Sequence, residues 1–158
     1  MLLALAAAAA APASALTPDG WGTLRIGMRR ADVVRALGGG SGAAGGPSPE
    51  RCEEFHPRRA PAGMIVLIEN GRLARIAATR PGLATAAGIA VGDPAAKVRR
   101  LHGERLRRVA HTYVDPPAAD WTWWRDKRRG IHYEIGADGR VASIRVGGPA
   151  IRYVEGCL

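Results

Sequence analysis

The residues of this chain best suited to chemistry are two cysteines, four histidines and a tryptophan cluster beside arginines. Cys52 and Cys157 are the only cysteines. In an oxidising compartment such a pair joins, and a bridge between them would close a loop of about 100 residues, contributing ~4–5 kcal/mol in the chain-entropy model. The alternatives are a reactive thiol or a metal pair with His56, and neither has ligand-like spacing. The bridge is therefore the expectation, pinning Glu155–Leu158 onto the edge of the first half of the chain.

The histidines are His56, His102, His111 and His132. His132 and Glu134 alternate along an expected strand, so both face one side and could join a metal or acid–base site. No third ligand accompanies them, and alternating polar residues on the outer face of a sheet are ordinary. No Ser-His-Asp pattern, zinc signature or tuned carboxylate pair is legible. The reading is of a protein that is not an enzyme, with no catalytic residue, metal ligand or cofactor.

Three of the four tryptophans stand in the run Trp121-Thr122-Trp123-Trp124. On a strand Trp121 and Trp123 share one face and Trp124 takes the other. One face can be core; the other must expose its aromatic surface or be covered. With Arg125, Arg128 and Arg129 nearby, exposed tryptophan has the composition of a protein-interface hot spot. The same pairing suits sugar stacking or an anionic polymer. The plainer alternative is that the rings replace missing Phe and Leu in a small core, since the chain has one Phe. The candidate binding residues are Trp121, Trp123, Trp124, Arg125, Arg128 and Arg129.

Short strands and helices must position these groups. Gly130–Val146 reads as two strands folded at an Ala-Asp-Gly turn, and Met64–Glu69 with Arg72–Ala78 as a hairpin at Glu-Asn-Gly. Asn-Gly between apolar strands is a strong hairpin signal because both residues tolerate positive φ. Arg29–Leu37 places Val33, Val34 and Leu37 on one side of a short helix that Gly38 stops. Asp93–Gly103 reads as a second helix, with Asp93 as cap, Pro94 in the first helical position and Gly103 closing it. Gly38–Pro49 reads as a flexible linker. Arg51–His56, Arg108–Val114 and Asp120–Arg125 read as further strands, the last two divided by Asp115-Pro116-Pro117. In the first hairpin Met64, Val66 and Ile68 face one way while Ile65 and Leu67 face the other. That sheet is expected to pack against the second half of the chain.

The two halves align without a gap through their helices. Ile26-Gly27 falls on Val91-Gly92, Ala31 on Ala96, Val33 on Val98, Arg35 on Arg100 and Gly38 on Gly103. Downstream, Gly71–Ala74 falls on Gly139–Ala142 and Ile76 on Ile144. The expected fold is α+β: two tandem repeats, each a short helical segment followed by a three- or four-stranded antiparallel meander. Repeat 1 spans 16–80, with its glycine-rich loop at 38–49; repeat 2 spans 81–148; the tail 149–158 is tied back by the disulfide. The motifs I-G-M-x-x-A-x-V-x-x-x-L-G at Ile26–Gly38, V-G-D-x-x-A-x-V-x-x-L-x-G at Val91–Gly103 and G-R-[LV]-x-x-I at Gly71 and Gly139 resemble the tandem repeat of β-lactamase inhibitory proteins. They are similar also to the single unit of SmpA/OmlA-type outer-membrane lipoproteins. The resemblance implies this architecture and an interaction module, and carries over no inhibitory or assembly residue.

Residues 1–15 form an apolar, alanine-rich run closing in Ala13-Ser14-Ala15, the pattern of a signal peptide cut after Ala15. The run is too short for a membrane span, so the mature chain is expected to be secreted or periplasmic, without a transmembrane segment. Its formal charge is +9, nearly all from arginine, a bias that alanine-, glycine- and proline-rich composition also accounts for. The expectation is a protein partner bound through the sheet of the second repeat. The alternative is an anionic envelope polymer or lipid, and no nucleic acid is expected.

Overall fold

Each short run of strand or helix periodicity becomes an element in this computed structural model, which describes residues 14–41 and 50–157. Residues 1–13, on which most of the expected signal peptide falls, the centre of the glycine-rich segment (42–49) and Leu158 lie outside the described residues. A small ribbon, β1 (Gly20–Trp21) and β2 (Leu24–Arg25), precedes helix α1 (Arg30–Leu37). Strands β3 (Gly40–Ser41), β4 (Cys52–Pro57), β5 (Met64–Glu69) and β6 (Arg72–Ala78) follow. Helix α2 (Ala95–His102) then leads into β7 (Leu106–Ala110), β8 (Ala119–Trp124), β9 (Gly130–Ile135) and β10 (Val141–Gly147). The last element is a 3₁₀ turn, Pro149–Arg152.

The fold is α+β, with two short helices against one face of a large antiparallel sheet. Eight strands lie in the order β3-β4-β5-β6-β10-β9-β8-β7. Each half is a meander, and the halves meet where β6 pairs with β10, Ile76 opposite Val146 and Ala78 opposite Ile144. They therefore join edge to edge, whereas the doubly apolar first hairpin predicted one half packed on the face of the other. The turn residues behave as their chemistry requires: Asn70 has φ 49° and Gly71 φ 72° at the first hairpin.

One hydrogen-bonding pattern occurs at both helix starts. Gly27 N–H donates to Leu73 O and Gly92 N–H to Val141 O, at 2.7 and 2.8 Å. Arg30 N–H donates to Gly71 O and Ala95 N–H to Gly139 O, at 2.9 and 3.0 Å. The side chain of Arg72 reaches Gly27 O, and that of Arg140 reaches Gly92 O, each at 2.9 Å. Gly27 and Gly92 hold φ 95° and 94°, a conformation that glycine adopts without a Cβ penalty.

The inward face of the sheet and the helices share one apolar core. Val33 and Leu37 of α1 and Val98 of α2 pack with Phe55, Met64, Val66, Ile76, Ile144, Val146 and Tyr133 from the strands. The other face of β4–β6 is closed by the C-terminal segment. Ile151 is fully buried where the 3₁₀ turn lies against β6, β9 and β10. Buried Arg75 pairs with Glu54 and donates to the carbonyls of Ala150 and Tyr153, both at 3.2 Å. Tyr153 Oη donates to Glu69 at 2.8 Å, and the Cys52–Cys157 disulfide fixes the end. Leu67, fully buried on this face, thus owes its cover to the tail rather than to the second half.

Four local expectations need correction. Asp93 does not cap α2: Pro94 occupies the N-cap, while the Asp93 carboxylate takes the Ala90 N–H at 2.8 Å and Lys97 Nζ at 2.7 Å. The nearer backbone donor and a lysine outcompete the helix N–H groups. Strand β7 ends at Ala110 because His111 Nδ1 accepts from the N–H groups of Tyr113 and Val114, at 3.1 and 3.2 Å, turning the chain. The glycine-rich linker begins inside the sheet, with Gly40 paired to Pro57. A Cβ on Gly40 would come within 2.2 Å of the Phe55 ring, so only glycine fits there. Finally, β10 starts at Val141 and carries a bulge before Ser143.

Candidate functional site

The sheet divides the tryptophan run between its two faces. Trp121, 8% exposed, belongs to the core. Trp123 is half-buried on the same side, stacked 5.0 Å from His102, with the Arg105 guanidinium 5.7 Å from its ring. Trp124 takes the opposite face, lies against Gly130 and has Arg152 over its ring at 5.8 Å. Arg125 is bound on both sides, to Asp19 and Asp126. The hydrogen bond from Arg125 holds the Asp19 carboxyl below its ordinary range. Arg129 lies 3.9 Å from Asp19 and donates to Arg128 O, whereas the Arg128 side chain has no hydrogen bond or ion pair among the described residues. The six residues singled out from sequence thus do not form one surface. Trp124 and Arg128 retain open faces, and Trp121 is core.

A different cluster lies on the outer face of the second half. Because β8 and β9 pair in register, Thr122 sits opposite His132 and Asp120 opposite Glu134. His132 and Glu134 do share a face, as alternation requires. His132 Nε2 donates to Asp120 Oδ1 at 3.0 Å, and His132 Nδ1 shares a 3.0 Å hydrogen bond with Thr122 Oγ1. Glu134 accepts from Ser143 Oγ at 2.8 Å and Arg145 at 2.9 Å, with His111 Nε2 at 3.5 Å. Burial works against a charged Asp120, but the His132 hydrogen bond and nearby positive charge outweigh it and hold this carboxyl below its ordinary pKa.

Asp120, Thr122, His132 and Arg145 floor a hollow of about 150 Å³. Its walls are Arg107 and Val109 of β7 on one side and Arg152 and Val154 of the tail on the other. Tyr113 Oη hydrogen-bonds to Glu155, linking the β7–β8 loop to the tail beside the opening. Three arginines line the hollow (Arg107, Arg145 and Arg152) against one carboxylate, Asp120. Apolar exposure concentrates in the same place. Val109 (47%), Tyr113 (66%), Val114 (43%) and Val154 (44%) are four of the five large hydrophobic side chains exposed among the described residues.

The Thr122–His132–Asp120 contacts have the order of a nucleophile, base and orienting acid. Their setting differs from that of a hydrolase: β8 and β9 are interior strands whose backbone N–H groups serve the ladders. Acyl transfer would instead need donors placed where an oxyanion forms. Among the described residues no three His, Cys, Asp or Glu side chains are disposed to hold a metal ion. What the hollow offers chemically is a satisfied polar floor, positive walls and an apolar rim. Such a composition can accept a carboxylate or similar anion attached to a larger apolar surface.

The sequence held part of this signal. Asp120 and Thr122 alternate with Trp121 and Trp123, so burying the tryptophans must turn Asp120 and Thr122 outward, beside His132 and Glu134. Arg152 and Val154 reach the hollow only through the path of the tail, which no local pattern encodes.

No protein-family model matches the chain, and no curated protein does. Solved structures with a similar fold include the DUF4309 family protein YjgB of Bacillus subtilis, at 16% identity and a TM-score of 0.54, over 81% of this chain and 84% of that one. An extracellular protein containing an SCP domain from Bacillus anthracis is similar at 8% identity and a TM-score of 0.50, over 78% of this chain and 44% of that one. Neither is a β-lactamase inhibitory protein or an SmpA/OmlA-type lipoprotein. At such identities what is shared is the fold.

Proposed function

We propose that this is a secreted or periplasmic, non-enzymatic protein-binding module, built from two helix-plus-sheet repeats and docking its partner on the outer face of the second. One observation carries the reading: the tail closes the outer face of β4–β6 and, crossing β10 and β9, stops short of β7, leaving the hollow between Arg152 and Val154 on one side and Arg107 and Val109 on the other. Exposed Val109 and Val154 line the hollow there, and Tyr113 links its neighbouring loop to the tail through Glu155. An apolar rim around an arginine-walled recess is the composition of a protein interface whose partner contributes an acidic side chain.

The matching hydrogen bonds at the two helix starts support the duplication, and with it the architecture of the β-lactamase inhibitory proteins. The disulfide and the extracellular neighbour favour export. No helix among the described residues is long and apolar enough to cross a membrane. Cleavage after Ala15 would leave the Leu16 amino group in place to donate to Ala84 O, a contact of 2.8 Å. Thr122, His132 and Asp120 then act as a binding floor rather than a catalytic relay.

A second reading, an anionic envelope polymer or lipid held by the arginines, is favoured by the net charge of +9 and by Arg152 lying over Trp124. Affinity capture from the extracellular fraction of the producing culture separates the two. A protein retained at ~1 M salt, where the screening length is about 3 Å, and lost with Val109→Asp/Val154→Asp is the expected result. Capture that vanishes at high salt and survives the double substitution would favour the polymer and overturn the protein-docking reading.

A further inference from the structure

On the opposite, helix-bearing face, the end of α2 meets β8 and β9 around a separate pocket of about 230 Å³. Its apolar wall comprises Leu16, Pro18, Ala87, Leu101 and Ile131. Leu101, 40% exposed, is the one large exposed hydrophobic outside the surroundings of the hollow among the described residues. The rest of the wall is polar in an uneven way. His102 and Tyr133 satisfy each other through a 2.9 Å hydrogen bond. The indole N–H of Trp123 is buried and has no partner among the described residues. Arg105 has no ion pair among the described residues, and no carboxylate lines the pocket.

We infer that this pocket binds a small amphipathic monocarboxylate, its chain against Leu16, Leu101 and Ile131 and its headgroup held by Arg105 beside the Trp123 ring. A cation without an ion pair among the described residues, set at an apolar pocket that no carboxylate lines, calls for an acceptor that carries negative charge. His102 supplies no competing charge from within. Burial, aided by the nearby Arg105, pushes its pKa down to about 4, so it is neutral at ordinary pH. The space exceeds the ~150 Å³ of an apolar cavity that takes up a benzene ring, so it is large enough for a medium-length alkyl chain. The site is independent of the outer-face docking reading, because it shares no residue with the hollow.

The test is a titration of octanoate into the oxidised full chain, followed by the indole N–H resonances of ¹⁵N-labelled protein. The Trp123 signal, assigned by its loss in Trp123→Phe, is expected to shift and saturate below about 1 mM while the Trp124 signal stays in place. Arg105→Gln, at an exposed position, should weaken octanoate about tenfold and leave 1-octanol unaffected, and Arg105→Lys should restore most of the loss. Ala87→Leu, which fills the opening, should abolish both. A Trp123 signal that does not saturate overturns the site. Octanol and octanoate binding with equal affinity, with no effect of Arg105→Gln, overturns the carboxylate assignment.

Discussion

Removing the Cys52–Cys157 bridge tests how the tail is held. The two cysteines are 105 residues apart, with Cα atoms at 5.4 Å. A closed loop of that size restricts the unfolded chain by about 16 cal/mol/K, or ~4.8 kcal/mol at 25 °C, in the chain-entropy treatment. A chain of about 140–160 residues has an unfolding entropy near 0.3 kcal/mol/K around 60 °C, so the midpoint should fall by roughly 15 °C. Differential scanning calorimetry of Cys52→Ala/Cys157→Ala against the oxidised parent measures this directly. The native state should change as well. The segment after Arg152 then keeps only its polar contacts, those of Tyr153 with Arg75, Arg145 and Glu69 and that of Glu155 with Tyr113. Limited trypsin digestion should therefore cut after Arg152 in the variant well before it does so in the parent. A midpoint lowered by less than about 5 °C, together with an equally resistant Arg152, would show that the polar contacts alone hold the tail and would refute the argument. Two thiols alkylated on unreduced native protein would remove its premise.

The tryptophans should separate by face. Trp121→Ala deletes a core ring and should cost ~3–5 kcal/mol, whereas Trp124→Ala loses a half-buried ring and an arginine contact and should cost less than ~2 kcal/mol. Equal shifts in urea midpoint would contradict the assignment of faces. His102 gives a pH dependence of definite sign. Its folded pKa of about 4 lies below the ordinary 6.5, so between these values the unfolded chain takes up a proton that the folded chain refuses. Stability should be full above about pH 6.5 and decline as pH falls toward 4, by a total on the order of 3 kcal/mol. Urea midpoints of His102→Gln should be flatter across that window than those of the parent, and identical slopes would exclude His102 as the source.

The hairpins, both helices and the cysteine pairing were legible because each depends on neighbours in sequence or on elimination. The Asn-Gly turn needs only Asn70 and Gly71, and the inward row of Met64, Val66 and Ile68 needs only the alternation of a strand. Which strands would meet was not legible. Ile76 and Val146 lie far apart in the chain, and nothing in either strand alone says that β6 should receive β10 rather than offer a face. The tail misled in the same way: Ile65 and Leu67 demanded a cover, and the nearest candidate in sequence logic was the second repeat. The strand assignment at Arg108–Val114 failed at His111, whose side chain serves two backbone donors, a competition that hydrophobic periodicity does not record. The hollow was half-legible, since its floor follows from strand alternation and its tail-side wall does not.

The junction of β6 with β10 also bears on how the protein behaves among its own copies. Two separate meanders would present four open rims, each able to recruit an extended segment from another molecule. Fusing them conceals two and leaves β3 and β7 outermost. β3 is two residues long among the described residues, a short rim, and β7 carries Arg107 and Arg108 along its length. A short rim and a charged one are the usual defences against edge-to-edge polymerisation. The same fusion that makes one sheet of two halves therefore helps the protein stay a discrete particle at high concentration.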